Sequence, residues 1–234
     1  MNLNRRIFIS LAATSVLILP SQAQVSDLND AINKAGRQRM LSQRMAKAYL
    51  CLGQQIQIPG ATKALDQSMA LFDRQLAELK SYAPQGTVRD TYLQLEAEWT
   101  GYKALLVTAV PSVASAGRLL AQDSKVLALA HQGTTQLEQL SGKPLGKLVN
   151  MAGRQRMLSQ RFAKLALMEL LDAGVPDSEA LASAAQRDFE QGLAYLNRIP
   201  LSTPEIRQAL EAAARDWQQM LAATPRGGRR PAGR

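Results

Sequence analysis

Two arginine-rich boxes in this sequence contain the residues best suited to binding a ligand. Residues 33–47 read NKAGRQRMLSQRMAK and residues 150–164 read NMAGRQRMLSQRFAK, identical at 13 of 15 positions. On an α-helix, where successive residues are about 100° apart, one arginine of each box lies on a face of small and uncharged residues. Around Arg39 that face contains Ala35, Gly36, Ser42 and Gln43, and around Arg156 it contains Ala152, Gly153, Ser159 and Gln160.

Such a face favours the binding of an anion or of other hydrogen-bond acceptors. Small residues let another backbone approach closely, and a guanidinium placed there loses water and must find partners. No Asp or Glu occurs in residues 31–65 or 139–168, so neither box can neutralise itself through neighbours one turn away. Two interpretations stay open. Arg39 and Arg156 either organise packing, through inter-helix ion pairs or bonds to carbonyls, or clamp one small planar oxyanion from both sides.

The remaining arginines of the boxes project to roughly the opposite side of each helix. They are Arg37 and Arg44 in the first box and Arg154 and Arg161 in the second. For these we predict ion pairs with acids on other helices, the candidates being Asp66, Glu78, Glu96, Glu98, Glu179 and Glu190. Changes at Arg37 or Arg154 are therefore expected to matter much less for ligand affinity.

The boxes belong to a larger repeat, which must position them. The offset of 117 residues that relates the boxes also pairs Phe72 with Phe189, and one further residue pairs Trp99 with Trp217. This predicts a duplicated structural unit with matching core anchors. Proline, glycine and capping residues predict helices over residues 26–58, 62–82, 87–109, 112–140, 145–173, 178–197 and 204–223.

Short connections between amphipathic helices predict an all-α fold, an antiparallel helical bundle built from a tandem repeat of about seven helices. Four helices fall in the first unit and three in the second. The second unit would have to borrow its closing helix from the first unit or from another chain.

Both ends of the chain differ in composition from the repeat. In residues 1–23, Arg5 and Arg6 precede an apolar run, and a small-x-small pattern follows that run. This arrangement predicts an export signal that is cleaved after Ala23, and therefore a periplasmic protein. Export by the general or by the twin-arginine route stays open. The predicted segments are a signal peptide (1–23), a first repeat (24–141), a second repeat (142–225) and a disordered basic tail (226–234).

The composition excludes several classes of function. Arginines in the two end segments account for six units of the formal net charge of +9, so the modest remaining charge and the predicted export argue against a nucleic-acid partner. One His and one Cys, His131 and Cys51, exclude a disulfide scaffold, a zinc cluster and haem attachment. We expect no cofactor, no metal and no enzymatic activity, and predict that His131 is a surface or interhelical histidine.

The two boxes resemble the sensor motif of the type IV pilus chemoreceptor (PilJ-type) amino-terminal domain and the related box of NarX-type nitrate/nitrite sensor kinases. The resemblance is sharpest over residues 32–47 and 149–164, and the helix-helix-Trp pattern extends it across most of residues 25–223. It implies a four-helix bundle that senses nitrate or nitrite between two box-bearing helices related by a twofold axis. The implied ligand-binding residues are the arginine before each methionine and the glycine one turn earlier: Arg39, Arg156, Gly36 and Gly153.

The resulting expectation is a soluble periplasmic sensory protein that binds nitrate or nitrite and presents its ligand state to a membrane-bound sensor kinase, chemoreceptor or transporter. Two boxes in one chain are consistent with an internal pseudo-dimer, and a homodimer also stays open. The residues expected to support the site are Ala35, Ser42, Gln43, Ala152, Ser159 and Gln160. The alternative is a helical adaptor or structural protein that binds no ligand.

Overall fold

A computed structural model describes residues 24–109, 112–170, 178–200 and 203–224. Within these ranges the chain forms seven α-helices and no strand, which confirms the predicted all-α class. The predicted signal peptide and basic tail lie outside the described residues. The helices are α1 (Leu28–Gly53), α2 (Ile58–Tyr82), α3 (Thr87–Thr108), α4 (Val113–Ser141), α5 (Pro144–Leu170), α6 (Ser178–Asn197) and α7 (Pro204–Ala223).

Three predicted helix boundaries are wrong: the start of α1, its end, and the start of α2, which begins at Ile58 and not at residue 62. α1 begins after Asp27, not Ser26, because the Asp27 side chain accepts a hydrogen bond from the backbone N–H of Asp30. It ends at Gly53, not at residue 58, and the connection that follows contains left-handed backbone at Gln55 and Gln57. Pro59 lies in the first turn of α2, where a proline leaves no hydrogen bond unmade.

The first four helices form an antiparallel bundle. α2 runs against α1, since Gln38 Nε2 donates to the carbonyl of Phe72 at 3.2 Å while the earlier Lys34 pairs with the later Glu78 at 2.7 Å. α4 also runs against α1 and packs on α3 as well, where Gln122 Nε2 donates to the carbonyl of Glu98 at 2.9 Å. α4 therefore covers the groove between α1 and α3.

The second unit joins the first through its box helix. α1 and α5 meet at Gly36 and Gly153, and farther along Gln54 Nε2 donates to the carbonyl of Leu167 at 3.0 Å. Because both residue numbers increase together, the two helices run parallel. Parallel helices that carry the same motif at the same level are related by an approximate twofold axis along their length.

The aromatic anchors of the two units match as the repeat predicts. Trp99 of α3 stacks on Phe72 with ring centroids 4.1 Å apart, and Trp217 of α7 stacks on Phe189 at 4.0 Å. Their indole nitrogens donate to equivalent acids, Asp73 at 2.7 Å and Glu190 at 3.4 Å. The third helix of each unit is thus fixed to its second helix by the same contacts.

Searched over the described residues, no helix is both long and apolar enough to cross a bilayer.

Candidate anion site

The boxes come together where α1 and α5 cross. A Cβ added to Gly36 would lie 3.8 Å from the Cα of Gly153, and one added to Gly153 would lie 3.7 Å from the Cα of Gly36. The two backbones are in close contact at this level, with Arg39 Nη2 beside both glycines. The small residues therefore allow the close helix approach that the sequence predicts.

The two predicted arginines converge at this crossing. The position of a Cβ on Gly153 is 3.6 Å from Nη2 of both Arg39 and Arg156, so these nitrogens are separated by at most twice that distance. Each guanidinium reaches the other helix: Arg39 Nη2 donates to Oδ1 of Asn150 at 2.6 Å, and Arg156 Nη2 donates to Oδ1 of Asn33 at 2.8 Å. Asn33 and Asn150 occupy equivalent positions in the repeat, so the two bonds obey the approximate twofold symmetry.

Arg39 is a buried charge with no direct ion pair among the described residues. Its side chain is fully buried at 0 % exposure, and its Nε has no hydrogen-bond partner in the described part of the chain. The second Nη nitrogen lies 3.2 Å from Nδ1 of His131 on α4. A carboxylate, Glu138, reaches the arginine only indirectly, by accepting a hydrogen bond from the Asn150 amide.

Positive charge accumulates at the crossing and changes how the groups ionise. Burial, followed by the charges of Arg154 and Arg156, lowers the pKa of Arg39 to about 10. Burial and the charges of Arg39 and Arg154 also lower the pKa of His131, which favours a neutral imidazole. Because a guanidinium can only donate, Nδ1 of His131 must accept the hydrogen bond, which places the imidazole proton on Nε2.

A buried hydroxyl lies within electrostatic reach of the same guanidinium. Tyr92 of α3 is 1 % exposed, and its hydroxyl has no hydrogen-bond partner among the described residues. Burial raises its pKa well above the ordinary value, while the charge of Arg39 acts in the opposite direction. The neutral hydroxyl and Arg39 Nε are thus two buried donors whose hydrogen-bonding capacity is unused in this structure.

The sequence model of type IV pili methyl-accepting chemotaxis transducer N-terminal domains (PilJ) matches residues 22–124 and 141–230. The two matches cover most of the chain, and each contains one box. The chain belongs to the PilJ family. No curated protein and no solved structure matches it.

Membership in the PilJ family assigns the chain a chemoreceptor-like sensory role. The family is a sensory domain of chemotaxis transducers, not a catalytic one, and its partners are of the chemoreceptor signalling type. Domains of this family are typically extracytoplasmic.

The residues expected to support the two arginines take different positions in the two PilJ units. Ala35, Ser42 and Gln43 are buried, and Ser42 Oγ donates to the carbonyl of Arg39 at 3.0 Å. Gln43 Nε2 donates to Oδ1 of Asp123 on α4 at 2.8 Å. In the second unit Ser159 repeats the bond of Ser42, with the carbonyl of Arg156 at 3.0 Å, whereas Ala152 is exposed and Gln160 is half-buried.

The expectation that Arg156 would lose its water to the same extent as Arg39 is wrong, although partial burial still lowers the pKa of Arg156. Arg156 is exposed, because no helix in the described part of the chain covers α5 as α4 covers α1. Arg154 does form an ion pair with another helix, 2.7 Å from Asp188 of α6. The pKa of Arg39 is lowered first by burial and then by the charge of Arg154. The pKa of Arg156 is lowered first by burial and then by the charge of Arg37. Arg154 and Arg37 therefore contribute to the potential at the crossing.

Sequence reasoning missed four residues at the crossing. Asn33 and Asn150 could have been found, because they are identical in the two boxes, but they lie off the helix face that contains the arginines. His131 and Tyr92 carry no such signal, since neither lies in a repeated motif. Within the ranges that the structure describes, no three His, Cys, Asp or Glu residues are grouped to hold a metal.

Proposed function

We propose that this protein is a sensory binding protein for a small planar oxyanion, nitrate or nitrite, held between α1 and α5 by Arg39 and Arg156. The observation that carries the proposal is the buried Arg39 guanidinium, which bonds directly to no carboxylate among the described residues and lies beside a second guanidinium. Even after the surrounding structure relaxes, burying an unpaired ion costs on the order of several kcal/mol. A bound anion would offset that cost.

The contacts of Arg39 indicate how an anion would be bound. Oxygen atoms of Asn150 and Asn33 accept from the two guanidiniums, and an oxyanion presents the same kind of acceptor with a full charge. The anion would take over these bonds and would also accept from Arg39 Nε, which has no partner in the described residues. Gly36 and Gly153 leave room beside the guanidiniums that a side chain would fill.

We further propose that the protein acts in the periplasm after removal of residues 1–23 and that it reports anion binding to a membrane-bound receptor. Parallel packing of α1 and α5 supports such a readout, because an anion at the crossing contacts both units and changes their spacing or relative angle. Two boxes in one chain make the site intramolecular, with one anion for each chain.

A second candidate function is a helical adaptor whose arginines only organise packing. It is favoured by one observation: both guanidiniums already hydrogen bond to asparagine oxygens across the crossing. In that case Arg39 would need no ligand, and Asn150, backed by Glu138, would serve as its partner.

Titration calorimetry of the purified protein with nitrate and with nitrite separates the two candidates. We expect binding of one anion for each chain and loss of that binding in Arg39→Lys, which keeps the charge but not the planar fork. The matched control is Arg44→Lys, an arginine of the same box on the other side of the helix. Absence of oxyanion binding by the unmodified protein, or equal affinity in Arg39→Lys, would leave the adaptor as the function.

A further inference from the structure

A groove in the second unit lies where the first unit places α4. It has a volume of about 310 Å³, and α5 and α7 form its walls, with Gln155, Arg156 and Gln160 on one side and Ala213 and Trp217 on the other. In the first unit the equivalent helices are α1 and α3, and α4 fills the space between them. The approximate twofold axis therefore predicts that one more helix, antiparallel to α5, fits this α5–α7 groove.

The lysines of the two boxes indicate what charge that helix must carry. Lys164 of the second box is buried and reaches across to Asp123 of α4, with Nζ 2.6 Å from Oδ2. Its counterpart Lys47 lines the α5–α7 groove and pairs with no acid in the described part of the chain. By symmetry, Lys47 lies where it would meet the carboxylate of a helix in the groove.

One glutamine of the groove differs from its first-unit counterpart in what its amide nitrogen meets. Gln160 is half-buried and lines the groove. In the first unit the counterpart of Gln160, Gln43, donates to Asp123 at 2.8 Å. A carboxylate at the equivalent place in the groove would accept from both Gln160 and Lys47.

We propose that the α5–α7 groove binds an amphipathic helix of a partner protein, antiparallel to α5, with a carboxylate that pairs with Lys47. The helix resembles α4 in what it presents: small and apolar residues on one face, with a single buried acid among them. The groove is lined by Lys47 of α1 as well as by residues of the second unit, so this docking surface requires that both units be folded and packed together. It also contains Arg156 of the proposed anion site, so it is tested without the anion.

A synthetic peptide of residues 112–141, helix-stabilised by a lactam bridge on its exposed face, tests the proposal because it carries Asp123 in the required setting. Labelled peptide is titrated with the full chain and followed by fluorescence anisotropy in anion-free buffer. We expect Lys47→Glu to weaken binding at least tenfold, and a peptide with Asp123 replaced by Lys to recover affinity for that variant. Ala213→Trp, which fills the groove, should also weaken binding at least tenfold.

The matched control for the groove is Ala209→Trp, an exposed position of α7 that does not line it. Circular dichroism and thermal unfolding check that each variant is folded. No binding above that of a scrambled peptide would overturn the proposal. So would binding that survives both Lys47→Glu and Ala213→Trp, because the peptide would then be replacing α4 in the first unit. Self-association of the chain that Ala213→Trp abolishes would instead identify a second copy as the occupant and would likewise overturn it.

Discussion

The two arginine boxes are nearly identical in sequence, yet the structure gives them different surroundings. Arg39 is fully buried beneath α4, whereas its counterpart Arg156 is exposed beside the α5–α7 groove. Gln43 Nε2 donates to the buried Asp123 of α4, whereas its counterpart Gln160 lines the α5–α7 groove. The contrast shows that a repeated motif determines which atoms are available, while a neighbouring helix decides how strongly each one is desolvated.

We expect the largest difference between the boxes in how much each lysine contributes to the free energy of unfolding. Lys164→Ala leaves Asp123 buried without its cation, which costs about 3 to 5 kcal/mol of unfolding free energy when one partner of a buried pair is removed. Lys47→Ala removes a half-buried lysine that has no ion pair among the described residues, so we expect a loss below about 1 kcal/mol. Urea denaturation of both variants measures the difference. Equal losses would mean that the two sites are equivalent after all.

Replacing the buried arginine should reduce anion affinity more than replacing the exposed one. A charge-assisted hydrogen bond contributes about 1.5 to 3 kcal/mol, so Arg39→Gln should weaken nitrate or nitrite binding by at least about tenfold. Arg156→Gln should weaken it less, because water around the exposed Arg156 already screens its charge. Calorimetric titration of both variants tests this order. Two independent sites, each abolished by one of the variants, would contradict a shared site.

The glycine contact tests whether the close crossing is needed. Gly36→Leu should separate α1 from α5, because even a Cβ there would lie 3.2 Å from Arg39 Nη2. We expect a loss of about 1 to 3 kcal/mol in stability from overpacking, together with loss of anion binding. Gly117, a helical glycine of α4 with open space around it, is the control: Gly117→Ala should stabilise by about 0.5 to 1 kcal/mol. A Gly36→Leu variant that binds anion normally would place the site elsewhere.

The smallest expected effect is on the ionisation of His131. Its pKa lies below the ordinary 6.5 because of burial and of Arg39 and Arg154. Since the folded state resists protonation, the contribution of His131 to stability should be complete above pH 6.5 and should be lost as the pH falls from there through the lowered pKa. A bound anion should raise this pKa, and Arg39→Gln should raise it in the free protein. One histidine in the chain makes its imidazole proton signals in nuclear magnetic resonance assignable without further variants; a pKa unaffected by Arg39→Gln would contradict the contact.

Much of the fold could be predicted because its signals are local or repeated. Proline and glycine breakers located the seven helices, and the 117-residue offset identified the matching pair Trp99 and Trp217. The error at the start of α1 arose because Ser26 and Asp27 are both good capping residues, and only the structure shows that the Asp27 side chain accepts from the backbone N–H of Asp30. The errors at the α1–α2 connection arose because left-handed backbone at Gln55 and Gln57 ends α1 before Pro59. Helix periodicity likewise selected Arg39 and Arg156 without reference to any neighbour.

The sequence by itself determined the helices, the repeat and the pair of arginines, because helix propensity, breakers and 3.6-residue periodicity act within one segment of chain. Only the tertiary structure decided that α1 and α5 run parallel, that Asn33 and Asn150 hold the guanidiniums, and that α4 buries one box and not the other. The physical reason is that burial, ion pairing and pKa depend on what lies across a helix interface, often more than 90 residues away in the chain, as with Arg39 and His131. Identical boxes therefore acquired different electrostatic surroundings.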